Sequence, residues 1–363
     1  MPASAEASMP QRGAPERLDA FMARANAAYY AGRDPFADFV TAPEISQIFG
    51  ELLGAWCAVV GQGILAGCTG GAGLMLVEAG PGRGTLMVDM VRVLVRVAPH
   101  LFATLSVHLI ETSPRLRAAQ KAALSQSGVS VTWHDGLESV PRGPMILVAN
   151  EFLDALPIRQ FVGEETEWRE RFVQDGVFAL SDRVEPSELA GRVAEPGEVV
   201  EICPVACAFV REVAARLCAE PGVALFIDYG TAVTASGETL QALRDGRPVS
   251  PLVEAGTADL TAHVDFEAIA HVAMDAGALC FGPVEQGELL VTLGAVERAR
   301  ALCAAVPDQA NTVRTALDRL IAPERMGRLF KALAVMSPAG IAPGLVAPPG
   351  FPDGVPYGQK ETR

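Results

Sequence analysis

No uninterrupted apolar run in this 363-residue chain reaches the roughly 18 residues a bilayer-crossing helix needs, so no membrane span is expected. The opening "MPASAEASMPQRGAPERLDAF" lacks the apolar core of a secretory signal. Its Glu6, Glu16 and Asp19 argue against a mitochondrial transit peptide. Basic charge is scarce: 29 Lys and Arg face 43 Asp and Glu, a formal net charge of −14. A nucleic-acid binder needs a basic face, so that class is excluded. An acidic surface suits solubility, or a basic partner such as an Arg-rich protein segment. CxxC pairs are absent. Seven cysteines are scattered through apolar surroundings, an odd number. Cys203 and Cys207 are four apart and invite a metal reading. However, Cys207 and Cys218 fall in "VACAFVREVAARLC", which reads as a helix using cysteine as a small apolar residue. No metal site is expected. Unpaired cysteine points to a reducing compartment: the cytoplasm of a bacterium, or the mitochondrial matrix in a eukaryote.

What is present is an alternation. Strand-like runs stand at "GLMLVEAG" (73–80), "LSVHLIET" (105–112), "VSVTWHD" (129–135), "PMILVANEF" (144–152) and "GVALFIDYG" (222–230). Helix-like runs lie between them: "TLMVDMVRVLVRVAP", "SPRLRAAQKAALSQSG" with Ser113 as cap, and "VACAFVREVAARLCAE". Apolar strands alternating with amphipathic helices imply an α/β fold, a doubly wound parallel sheet that binds ligands at the strands' carboxyl ends. The stretch at about 157–203 alternates apolar and polar residues around Asp175-Gly176, so an inserted β-hairpin lobe is expected over that end of the sheet. A long connection follows the fifth strand, then a helix capped by Asp265. "LCFGPVEQGELLVTLG" and "LFKALAVMS" read as closing strands. The expected organisation is an N-terminal helical segment (1–72), a core (73–336) and a Pro/Gly-rich tail (337–363).

The first strand runs into "VEAGPGRGT". Gly80, Gly82 and Gly84 give GxGxG, whereas a dinucleotide loop needs a further glycine where Thr85 stands. A triphosphate loop needs a GK[ST] that is absent. Glu78, at the strand end, repels phosphate and attracts a cation. S-adenosylmethionine (SAM) carries an ammonium and a sulfonium and no phosphate, and glycines let backbone approach it closely. Glu111 ends the second strand, beside Thr112, where a carboxylate can accept from both ribose hydroxyls. Asp135 ends the third, placed for an adenine amino group, with Gly136 and Leu137 flanking the ring. "NEFLDALP" ends the fourth: Asn150, Glu151 and Asp154 cluster where a methyl acceptor must arrive. Buried carboxylates need a cationic partner, and a guanidinium is one. Asp228 and His263 are further polar groups on this rim, without an assigned role.

These residues, in this order, resemble the MidA family of class I SAM-dependent methyltransferases. The matching stretches include "DPFADFVTAPEISQIFGELLGAW" (34–56), "VEAGPGRGTLMVDMVR" (77–92), "HLIETSPRLRAAQ" (108–120), "NEFLDALPIRQF" (150–161) and "MGRLFKALAV" (326–335). They span about residue 30 to 336. The resemblance implies a seven-stranded Rossmann-like sheet. It implies SAM held by Glu78, Gly80, Gly82 and Glu111, with an N-terminal lid carrying Thr41, Pro43 and Glu44. It further implies methylation of a protein arginine, on a respiratory complex I subunit or its bacterial equivalent. An assembly factor holding SAM without turnover and a small-molecule methyltransferase stand as alternatives. By composition alone, "TAPEISQIFGELLGAW" is one capped amphipathic helix, with Glu44 and Glu51 seven apart on one face. "DPFADF" has Ala37 where the family has glycine.

Overall fold

The apolar runs become buried strands: β1 (Leu74–Ala79), β2 (Leu105–Ile110), β3 (Ser130–His134), β4 (Met145–Asn150) and β5 (Gly222–Thr231), followed by β6 (Leu279–Glu285) and β7 (Phe330–Met336). The structure, a computed structural model, describes residues 13–32, 40–68, 73–338 and 347–351. The strand order across the sheet is β3-β2-β1-β4-β5-β7-β6, with Val264–Asp265 as a two-residue addition beside β5. β1 to β5 run parallel, while β7 is antiparallel to both β5 and β6. Chain order reverses direction between β1 and β4, so a cleft opens at their carboxyl ends.

Helices α1 (Leu18–Gly32), α2 (Gln47–Gly67), α3 (Thr85–Val97), α4 (Pro114–Leu124), α5 (Pro204–Ala219) and α6 (Phe266–Asp275) accompany the sheet, with others between β6 and β7. Alternate residues of each strand feed two cores. One lies under α2 and α3, the other under α5 and α6. β1 and β4 are buried at every position because both faces are covered. Capping follows the sequence: Ser113 accepts from the N–H of Leu116, and Asp265 from that of Ala268.

Three elements differ from expectation. The lobe is larger than a hairpin. Arg159–Glu164, Glu167–Gln174 and Val177–Val184 form a meander, completed by Val199–Ile202 and by Glu16–Arg17 from the N-terminal region. Asp175 and Gly176 do make its turn, with φ of 53° and 76°. The closing strand expected over "LCFGPVEQGELLVTLG" forms only as far as Glu285. The chain turns helical at Gln286–Thr292, where Leu289 and Leu290 bury one side, and further helices follow before β7. "TAPEISQIFGELLGAW" is not one helix. Ser46 is extended (φ −159°, ψ 134°) and separates a turn at Ala42–Ile45 from α2, whose N-terminus it caps. Glu44 and Glu51 therefore share no face. Glu51 pairs with Arg298 at 2.7 Å and Arg92 at 3.2 Å. "DPFADF" and most of the C-terminal tail lie outside the described residues.

α2 is long and apolar enough, by length and composition, to cross a membrane, although Glu51, Gln62 and several glycines keep its sequence from forming an unbroken apolar run. In the fold, 67% of its most apolar window is buried. Glycines set its approach to α3: a Cβ at Gly54 would sit 2.9 Å from Met90 Cα, and one at Gly50 would sit 2.5 Å from Asp89 Cβ. α1 is held differently. Its buried Asn26 donates to the carbonyls of Ala155 (3.0 Å) and Leu260 (2.8 Å) and accepts from the N–H of Leu260 (3.0 Å).

Overpacking a backbone contact costs about 1–3 kcal/mol or more. Gly54→Val should therefore lower unfolding stability in urea by at least about 2 kcal/mol. Val59→Ala, on the exposed side of the same helix, should stay within about 0.5 kcal/mol of wild type. Equal effects would refute the close-approach account.

Candidate active site

A cavity of about 440 Å³ opens at the carboxyl ends of β1, β2 and β4, roofed by α1 and the Thr41–Glu44 turn. Glu78 ends β1 inside it, 2% exposed. Its Oε2 has no hydrogen-bond partner, and burial pushes the carboxyl up to about 8. Gly80 follows with φ 66°; a Cβ there would stand 2.8 Å from the Phe152 ring, so both conformation and space demand glycine. Gly82 also lines the cavity, and its carbonyl accepts from Gln120 (2.7 Å). Gly84 does not line it. With φ 85° it starts α3, facing Gln120. Thr85, next in line, donates a hydrogen bond from its hydroxyl to Glu44.

Glu111 follows β2, and burial raises its carboxyl. Oε1 accepts from the N–H of Ser113 (2.8 Å) and Oε2 from Gln120 (3.2 Å). Gln120 also accepts from the Trp133 indole at 2.8 Å. One buried amide thus ties the glycine loop to β2 and β3. Thr112 lines the cavity beside Glu111, whereas Asp135 and Gly136 do not. Arg117, whose guanidinium rests on the Glu111 carbonyl (2.6 Å), draws Asp135 outward into an exposed pair at 2.7 Å.

At the end of β4, Asn150 and Glu151 line the cavity. Glu151 has φ 50°, a left-handed conformation that costs a non-glycine residue energy. Asp228 of β5 holds it there. Its Oδ2 accepts the next three backbone N–H groups, of Phe152 (3.1 Å), Leu153 (2.9 Å) and Asp154 (3.2 Å). Glu151 Oε1 accepts from the N–H of Ala42 (2.8 Å) and from Asn150 (3.1 Å), and burial lifts the carboxyl to about 7. Asp154 is turned behind the wall and does not line the cavity. Its carbonyl is tied to the N–H of Ala262 (3.0 Å), its Oδ1 has no hydrogen-bond partner, and burial lifts it to about 6. His263 packs edge-on against Tyr229, likewise outside the cavity.

Sequence reasoning missed the α1 wall, where Ala23, Asn26, Ala27 and Tyr30 face the cavity. Tyr30 donates to Asp259 at 2.8 Å. "LDAFMARANAAYYAG" carries no signal beyond that of an ordinary helix; the buried Asn26 was its one odd residue. The role of Asp228 was also missed, although an acid interrupting "LFIDYG" marks a buried charge that needs donors. Glu78 Oε2 and Asn150 Oδ1 are buried acceptors on the cavity wall without donors. They fit a ligand that brings N–H groups and positive charge.

An acidic glycine loop at the switch point, followed by a buried carboxylate after the next strand, fits a Rossmann-like SAM-dependent methyltransferase. Residues 52–284 match the family described as putative S-adenosyl-L-methionine-dependent methyltransferase, and the chain belongs to it. The zebrafish (Danio rerio) mitochondrial protein arginine methyltransferase NDUFAF7 is 35% identical, the alignment covering 86% of this chain and 81% of the relative. The Homo sapiens protein of the same name is 34% identical, covering 85% and 76%. Among solved structures, a likely methyl transferase from Burkholderia thailandensis bound to S-adenosyl-homocysteine superposes with TM-score 0.76 and 28% identity. That match covers 89% of this chain and 88% of the other. The family expected from the motifs is thus the family found, and SAM is its cofactor.

The raised carboxyls make stability pH-dependent. Glu78 keeps its proton in the ligand-free fold up to about 8, whereas the unfolded chain releases it near 4.5. This contribution is full at low pH and disappears as pH rises through about 8. The melting temperature of the ligand-free protein should fall from pH about 6.5 to about 8.5, and fall less in Glu78→Gln. The same slope in both proteins would refute the assignment.

Proposed function

We propose that this enzyme methylates an arginine side chain of a protein. Glu78, Gly80, Gly82, Glu111 and Thr112 hold SAM, and Asn150 and Glu151 place the guanidinium. The observation that carries this is Glu151: a carboxylate held in a costly backbone conformation, facing the cavity next to the glycine loop. The naming of the relatives as protein arginine methyltransferases supports the same acceptor. From the N-terminal segment, α1 and the Ala42–Ile45 turn serve as the lid, while α2 packs into the core with 73–336; the insertion at 157–203 serves as a wall toward the partner.

Bound SAM supplies an electrophilic methyl group. The chain's own work is orientation and charge placement. The unpartnered Glu78 oxygen suits an ammonium, and Glu111 suits a pair of vicinal hydroxyls. Glu151 Oε1 is occupied by Ala42 and Asn150, which leaves Oε2 for the acceptor. Methylation leaves the acceptor nitrogen with one proton too many. Glu151, lifted to about 7 by burial, is placed to receive it. Asp154 and Asp228 act from behind, Asp228 by fixing the turn. The net charge of −14 suits a basic partner segment, and a respiratory-chain subunit is the first candidate. Seven cysteines without a disulfide suit a reducing compartment.

Glu78→Ala should abolish SAM binding in calorimetry. Glu151→Gln should bind SAM within about twofold of wild type yet lose about 100-fold or more of the methylation of lysate proteins by labelled SAM. Hydrolysis of labelled protein should yield methylarginine. Label confined to small molecules, or undiminished in Glu151→Gln, would overturn the reading.

A further inference from the structure

Four acids line the cavity among the described residues: Glu44, Glu78, Glu111 and Glu151. Glu78 and Glu111 suit the cofactor's ammonium and ribose. Glu151 is given to the acceptor, which leaves Glu44 without a task. It comes from the Ala42–Ile45 turn of the N-terminal segment, not from the sheet. That turn sits directly on the acceptor site, since the N–H of Ala42 donates to Glu151 at 2.8 Å. Glu44 is also fixed from the cofactor side by the hydroxyl of Thr85. Thr85 stands where a dinucleotide loop carries its last glycine, so its side chain has a use in this protein that glycine lacks.

A guanidinium presents five N–H donors in a planar fork and is matched by two carboxylates on different edges. An ammonium is a point charge that one carboxylate serves. We propose that Glu44 is the second acceptor carboxylate, paired with Glu151 across the guanidinium, and that Thr85 positions it. This rests on the arginine reading above and adds the basis of selectivity for guanidinium over ammonium. It also makes the acceptor pocket complete only when the N-terminal turn is seated.

The test uses the full chain loaded with S-adenosyl-homocysteine and titrated calorimetrically with Nα-acetyl-arginine N-methylamide or the lysine equivalent. Wild type should prefer the arginine compound. Glu44→Gln should weaken its binding by about tenfold or more and erase the preference, with S-adenosyl-homocysteine affinity within about twofold of wild type. Thr85→Val should shift binding the same way, and Thr85→Ser should restore it. Undiminished arginine binding in Glu44→Gln overturns the assignment. So does an equal loss of S-adenosyl-homocysteine affinity, which marks Glu44 as a cofactor contact. If the wild-type complex binds no blocked arginine at all, the arginine reading itself fails, and this inference with it.

Discussion

The site depends on one carboxylate that does not face it. Asp228 collects three consecutive backbone N–H groups on a single oxygen, and a fourth, from Tyr229, on the other (2.9 Å). Those donors would otherwise be buried without acceptors, at about 1–3 kcal/mol each. The arrangement closes the chain after β4 into a tight turn and compels Glu151 into its left-handed conformation. Without that grip, Glu151 would relax into an extended continuation of the strand. The N–H of Ala42 would lose its partner, and the Ala42–Ile45 turn its tie to the sheet.

The second organising feature is the cost of buried negative charge. Four carboxylates share one cavity, and those of Glu78, Glu111 and Glu151 are held above their ordinary range by desolvation. A cavity of this kind favours positively charged ligands. Each arriving positive group restores an ionised state that burial has suppressed.

Much of the fold was legible in the sequence. β1 to β5 lie within about two residues of where apolar runs and Gly or Pro punctuation set them, because strands covered on both faces leave an unbroken apolar record. Caps at Ser113 and Asp265 were readable for the same local reason. The misreadings have specific physical origins. Ser46 broke a helix that composition favoured, because its side chain caps better than it continues. Asp135 was drawn out of the cavity by Arg117, a long-range pairing invisible to strand-end logic. Asp154 was turned inward by the Asp228 grip. The α1 wall was unreadable because its contacts are made with distant segments.

That last point bears on how the protein is made. The Asn26 side chain finds its partners 129 and 234 positions later in the chain. α1 can therefore complete its contacts only after those later segments are in place. Until the sheet exists, α1 and the membrane-like α2 are amphipathic or apolar surfaces with nothing to cover them. Apolar surface left exposed in that interval is an aggregation hazard.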